Sequence, residues 1–200
     1  MATKLTNGQE YIGTKFTDIE ANNQQFDGIV FDNCRFQHCN FNSSEFIRCK
    51  FIDCDIVNCD FSLITIKHSV FSGVDFTESK LLGIDWTQAK WPFINIDSPI
   101  NFYQCNISHS SFFELNLENI IIEDCKAHEV DFEDSKLSQA NFNQSDLQGS
   151  LFIHTTLRSA NFSEAINYNI DISLNDISKA KFSFPEVTSL LNTLDIEIID

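Results

Sequence analysis

The chain has 200 residues and a mass of 22.9 kDa, room for one domain or one repeat array. It carries 29 Asp and Glu against 13 Lys and Arg, a formal net charge of −16. Ordinary nucleic-acid binding is excluded and an anionic membrane surface disfavoured, because both need basic side chains. With 42% hydrophobic residues, 20 of them Phe, there is matter for a core, so acidity here does not mean disorder.

The N-terminal stretch from Met1 to Gly8 is polar, without the apolar centre of a secretory signal. No apolar run approaches the roughly 18 residues of a membrane span; Ile120-Ile121-Ile122 is typical of the longest. These features predict a soluble, cytoplasmic protein. Seven Cys is an odd number in such a chain, and a disulfide framework is not expected.

From Phe16 the chain counts in fives. Positions ending in 1 or 6 run from Phe16 through Phe26, Phe31, Phe36 and onward to Ile96. The register then slips by one residue near Asp97-Ser98-Pro99 and continues from Phe102 through Phe112 and Phe132 to Phe182. Apart from Ala21, Ala127 and Asn167 these positions are large and apolar, and 17 of the 20 Phe residues fall on them. Two residues earlier sits a small class that includes Cys34, Cys39, Ser44, Cys49, Ser135, Ala140 and Ser145. The residue between the two classes is often Asp or Asn, as in Cys59-Asp60-Phe61 and Ala140-Asn141-Phe142.

A helix repeats every 3.6 residues and a strand every 2, so neither explains a strict five. Two inward and three outward residues per repeat, with a turn in each, close a square coil every 20 residues. Stacking at about 4.8 Å gives about 8.5 coils and a rod of roughly 40 Å. The spacing of Cys34/Cys54, Cys39/Cys59 and Cys105/Cys125 agrees, each pair being 20 apart. These thiols read as small hydrophobes stacked in interior columns.

This pattern, small–Asp/Asn–Leu/Phe–x–x from about Phe16 to Phe182, resembles the pentapeptide-repeat family. The resemblance implies an all-β, right-handed quadrilateral β-helix of about 8 coils. The expected layout is an N-terminal cap over 1–14, the β-helix over 15–183, and a C-terminal helix and short strand over 184–200. In that last segment Pro185 suits a helix start. Val187, Leu190, Leu191 and Leu194 form an i, i+3, i+4, i+7 stripe, and Ile196 and Ile198 alternate like a strand. The arrangement resembles the Qnr/MfpA class, in which such a helix joins two rods end to end. That resemblance implies a homodimer through Phe184, Val187, Leu190, Leu191, Leu194, Ile196 and Ile198. It also implies a DNA-like acidic rod that binds DNA gyrase and topoisomerase IV and affects quinolone sensitivity. Many Qnr proteins carry multi-residue loops; with only a one-residue slip, the loopless MfpA-like arrangement is the nearer comparison.

Counting every fourth pentad onto one face, the side through Phe31, Phe51, Phe71, Trp91, Phe112, Phe132, Phe152 and Ile172 carries the largest charge, −5. The candidate partner patch lies there: Pro92, Phe93 and Phe113 beside Glu114, Asp131, Glu133 and Asp134. Two readings stand. These residues cover a defect at the slip, or they form a recognition surface of aromatics beside charge. All five His fall on outward positions, with no His-x₃-His pair, and six Gly leave no phosphate-cradling loop. No catalytic residue, metal ligand or cofactor is assigned, and no enzyme activity is expected. The alternative function is an interaction scaffold with an unrelated partner.

Overall fold

A computed structural model of the chain describes residues 5–91, 98–194 and 196. Residues 20 apart pair in parallel. Glu10 pairs Val30, Val30 pairs Lys50, and Lys50 pairs Val70 on one side. Lys15, Arg35, Asp55 and Asp75 follow one another on the next. Glu20, Asn40, Asp60 and Lys80 define the third and Gln25 and Glu45 the fourth. The result is a four-sided β-solenoid of about 8 coils. Its strands hold only two to four residues, as in Glu10–Ile12 and Val74–Thr77, because a five-residue side must turn again almost at once.

The Phe excess follows from this geometry. Phe16 and Phe36 stack at 4.8 Å, Phe31 and Phe51 at 4.9 Å, and Phe142 and Phe162 at 4.8 Å, one ring per coil. Rings on adjacent sides meet edge to face, as with Phe31 and Phe36 at 5.1 Å and 76°. Offset stacking along the axis and T-shaped contact across it are the two arrangements aromatic rings prefer.

The corners explain the other two consensus positions. At most corners the second residue after the central one takes a left-handed backbone, from Asp18 (φ 55°) to Lys179 (φ 62°), with Gly at only a few of them. Asp or Asn before the central residue steadies that corner by accepting from the backbone N–H two residues on. Asp60 accepts from Ser62, Asp131 from Glu133 and Asn141 from Asn143 at 2.9–3.2 Å. This is the Asx-turn that makes these residues favourable at turns.

The small residue does more than fit. Ser145 Oγ accepts from Cys125 N–H at 3.0 Å and donates to Ile122 C=O at 2.8 Å, both one coil away. Ser44, Ser69 and Ser150 bridge the coil before them in the same way. Cys thiols also contact these carbonyls, Cys54 reaching Phe31 C=O and Cys125 reaching Phe102 C=O at 3.5 Å. The sequence pattern indicates a preference for small size; the structure adds the satisfaction of buried backbone groups.

The interruption near Pro99 is larger than a one-residue slip. Val74 pairs Ile100 and Phe76 pairs Phe102, an offset of 26 residues rather than 21. Phe76 and Phe102 stack at 5.4 Å, and Trp86 stacks on Phe112 at 5.8 Å. One pentad is therefore bypassed along with the extra residue, and everything after it is rotated by one side relative to the simple count. The solenoid also begins earlier than residue 15, since Glu10–Ile12 is already a paired strand. At Asn167 the central position is filled by its neighbour instead. Asn167 itself takes φ 59°, and Tyr168 turns into the core against Phe162 and Phe182.

After Lys181–Phe182 pairs with Asn161–Phe162, the chain forms a six-residue 3₁₀ helix, Glu186–Leu191. Ile196 lies in no strand, and Ile198 falls outside the described residues.

Candidate functional site

With the 26-residue offset, the four sides carry different charges from those of the simple count. The side through Phe46, Trp86, Phe112 and Phe132 holds eight acidic and two basic residues, a net of −6. The opposite side, through Phe36, Phe76 and Phe102, holds seven and three, a net of −4. The side through Phe41, Leu81 and Ile107 has four and two, a net of −2. The side through Phe31 and Phe51, continuing after the interruption through Leu137 and Leu157, has five of each and is neutral. The rod is polarised: ten of its twelve net negative charges lie on two opposed faces, and the faces between them carry −2 and zero.

The proposed patch divides accordingly. Glu114, Asp131, Glu133 and Asp134 are neighbours. Ser111 bridges Asp131 in parallel and Glu114 N–H donates to Glu133 C=O at 3.0 Å, so the four acids lie on two successive coils of the −6 side. Ser111 Oγ donates to Asp131 at 3.3 Å, and His154 faces Asp134 at 3.6 Å. Phe113 is half-buried beside them, its N–H donating to Ser111 Oγ. Pro92 and Phe93 lie outside the described residues. Trp91, which precedes them, belongs to the neutral side, because Lys90 pairs with Val70. The simple count joins Trp91 to Phe112 on one face. The observed register joins Phe112 to Trp86, so the continuous face expected from Trp91 to Phe113 does not form.

At the C-terminal end the apolar stripe is split in use. Leu190 is buried and Val187 packs on the core, so these two close the last coil. Leu191 is half-buried. Phe184 is 85% exposed, Ile196 54% and Leu194 40%. An apolar groove of about 250 Å³ opens nearby between Leu151, Phe152, Ile153 and Leu174.

Burial raises the thiols of Cys49 to about 11 and Cys54 to about 12, as expected of inert interior residues. All seven Cys are free. Among the described residues no group of His, Cys, Asp and Glu has the geometry to hold a metal ion, and no helix is long and apolar enough to cross a membrane. Burial works against the charge of Asp146, but hydrogen bonds from Asn167 and His128 hold its carboxyl below the usual range. Asp171 and Asp176 are also held low, chiefly by Ser173 and Ser178.

A four-sided solenoid with polar outer faces and a capped end defines a repeat protein whose chemistry lies on its surface. The chain belongs to the pentapeptide repeat family, whose repeat region matches residues 29–98 and 84–162. It is similar in fold to HetL, a pentapeptide repeat protein involved in heterocyst differentiation regulation from the cyanobacterium Nostoc sp. strain PCC 7120. That likeness has 18% identity and a TM-score of 0.64, and covers 87% of this chain and 86% of that one. Solved neighbours also include full-length QnrB1, a plasmid-mediated fluoroquinolone resistance protein, at 16% identity and a TM-score of 0.48, covering 94% and 100%. No curated protein matches the chain.

Proposed function

We propose that this protein is a non-enzymatic acidic rod that occupies the DNA-binding groove of a type II topoisomerase, DNA gyrase or topoisomerase IV, as a mimic of duplex DNA. The observation that carries this reading is the polarised charge. The solenoid sides together hold 24 acidic and 12 basic residues. At about 4.8 Å per coil that is one net negative charge per about 3 Å. Duplex DNA carries one per about 1.7 Å, so the rod has roughly half its linear density, concentrated on two faces. A groove built to neutralise phosphates attracts such a rod at long range, and the attraction falls with ionic strength.

The test is a gyrase supercoiling assay run with and without a quinolone, alongside binding at two salt concentrations. Competitive displacement of DNA that weakens with salt is the expected result. Absence of binding to both enzymes at low salt defeats the reading. A homodimer through the C-terminal end belongs to the same proposal, supported by the exposure of Phe184, Leu194 and Ile196 on one end of the rod. Light scattering at micromolar concentration should give twice the chain mass, and truncation after Ser183 should abolish it.

One observation favours the second reading, a scaffold for an unrelated partner. The groove beside Leu151 and Leu174, mostly apolar with Asp171 on its wall, suits a contact made chiefly by apolar burial. Salt-insensitive partner binding lost on Leu174→Asp would support it.

A further inference from the structure

The seven cysteines are not equivalent. Cys39 and Cys59 stand one above the other at the same corner of successive coils, since Asn40 pairs with Asp60 in parallel. Cys59 Sγ accepts from the Cys39 N–H at 3.3 Å. Coil spacing places their Cα atoms about 4.8 Å apart, inside the roughly 4.4–6.8 Å span of disulfides. Both residues help line a surface cleft of about 360 Å³, with His38, Glu78 and Lys80 also on its walls. Hydrogen peroxide is little larger than water and fits such an opening. Cys49 differs, since the corner residue one coil above it is Ser69; Cys34 and Cys54 also stack one coil apart, but neither lines the cleft.

We propose that Cys39 and Cys59 form a peroxide-oxidisable dithiol that closes reversibly into an intercoil disulfide. The Cys39 thiolate attacks one peroxide oxygen; an S–O bond forms, the O–O bond breaks, and the leaving hydroxide takes a proton to become water. The Cys59 sulfur then attacks the Cys39 sulfenic sulfur. The S–S bond forms, the S–O bond breaks, and a second water leaves with the Cys59 proton. Two thiols lose two electrons in all, and one peroxide becomes two waters. Cys39 is the attacking group: its contact with Cys59 holds its thiol below the ordinary range and pushes that of Cys59 above it. Cys105 and Cys125 stack in the same column, so their contribution must be removed to read the first pair alone.

The experiment uses the full chain with Cys105→Ser and Cys125→Ser, reduced, desalted and exposed to a small excess of hydrogen peroxide without denaturant. Ser is tolerated at this corner, as Ser79 and Ser145 occupy it elsewhere in the column. The expected product is a chain with no covalent link to a second copy, lighter by two hydrogens. Its unreduced peptide map joins Cys39 to Cys59, and dithiothreitol restores both thiols. Adding Cys39→Ser or Cys59→Ser should abolish the loss while circular dichroism stays unchanged. A chain that keeps its full thiol count, gains sulfinic oxygens instead, links other cysteines, or forms the bridge only in urea would overturn the proposal.

Discussion

Replacing Ser145 by Ala isolates the role of the small corner residue. Ser145 is fully buried, and its hydroxyl is the partner of two backbone groups in the coil before it. Corners of one kind close on themselves, as when Ser145 N–H donates to Phe142 C=O at 3.1 Å. The corner at Cys125 is of the other kind: its N–H donates to Ser145 Oγ. Alanine therefore strands one buried donor and weakens one acceptor. An unsatisfied buried group costs about 1–3 kcal/mol. The two together, less a small gain from losing the hydroxyl's own desolvation, give an expected loss of about 3 kcal/mol. Ser145→Cys should cost far less, because Cys125 already reaches Phe102 C=O from the equivalent place. Urea unfolding followed by circular dichroism reads both. A Ser145→Ala variant within about 0.5 kcal/mol of the parent, the range of ordinary surface changes, would show that size alone selects the residue.

Phe132→Ala removes a fully buried ring stacked on Phe112 at 5.4 Å and Phe152 at 5.1 Å. The same urea titration should register a loss of about 3–5 kcal/mol. Asp131→Asn keeps an oxygen for the Glu133 N–H. It should leave stability within about 0.5 kcal/mol while weakening topoisomerase binding and flattening its salt dependence. Acid should destabilise the fold through Asp146, Asp171 and Asp176, whose folded pKa values are depressed. Their stabilisation is complete above the unfolded Asp value of about 3.9 and is lost as pH falls through the lower folded values. Urea midpoints measured from pH 6 to pH 3 should drop over that interval, and less so in Asp146→Asn; identical profiles would refute the assignment.

The core was legible in the sequence because one large residue per side is a strict requirement, and 17 Phe residues repeat it without ambiguity. The interruption was less so. Ile96 keeps the five-residue count as well as any other position, so periodicity alone joins it to the column. Only the pairing of Phe76 with Phe102 shows that a pentad is bypassed. Every face assignment beyond it then moves by one side, which is why the acids of Glu114 to Asp134 were legible as a cluster but not on their true face. Asn167 carried a usable signal: a polar residue in an apolar column, with Tyr168 next to it. The corner bridges left a weaker trace, since Ser, Cys and Ala share a size and only the first two can bond. Cys39 and Cys59 announced their stacking through the 20-residue spacing, but not the cleft beside them.

The acids of this rod are not a by-product of its fold. An Asx-turn needs one side-chain oxygen and is indifferent to charge. On the Phe36 side the turn is made by the neutral Asn141 and Asn161. On the Phe41 side Asn40 and Asn106 alternate with Asp60 and Asp146. On the −6 side the equivalent bond is made by Ser111 at one coil and by Asp85, Asp131 and Asp171 at the others. There the neutral residue would serve folding better, because Glu114, Glu133 and Asp134 crowd the same two coils and like charges stacked one strand apart are destabilising. Glu114, Glu133 and Asp134 make no corner of this type at all. Charge is thus placed where the coil does not ask for it and where it opposes folding. The proposed docking into a basic groove would account for that placement; the turn chemistry does not.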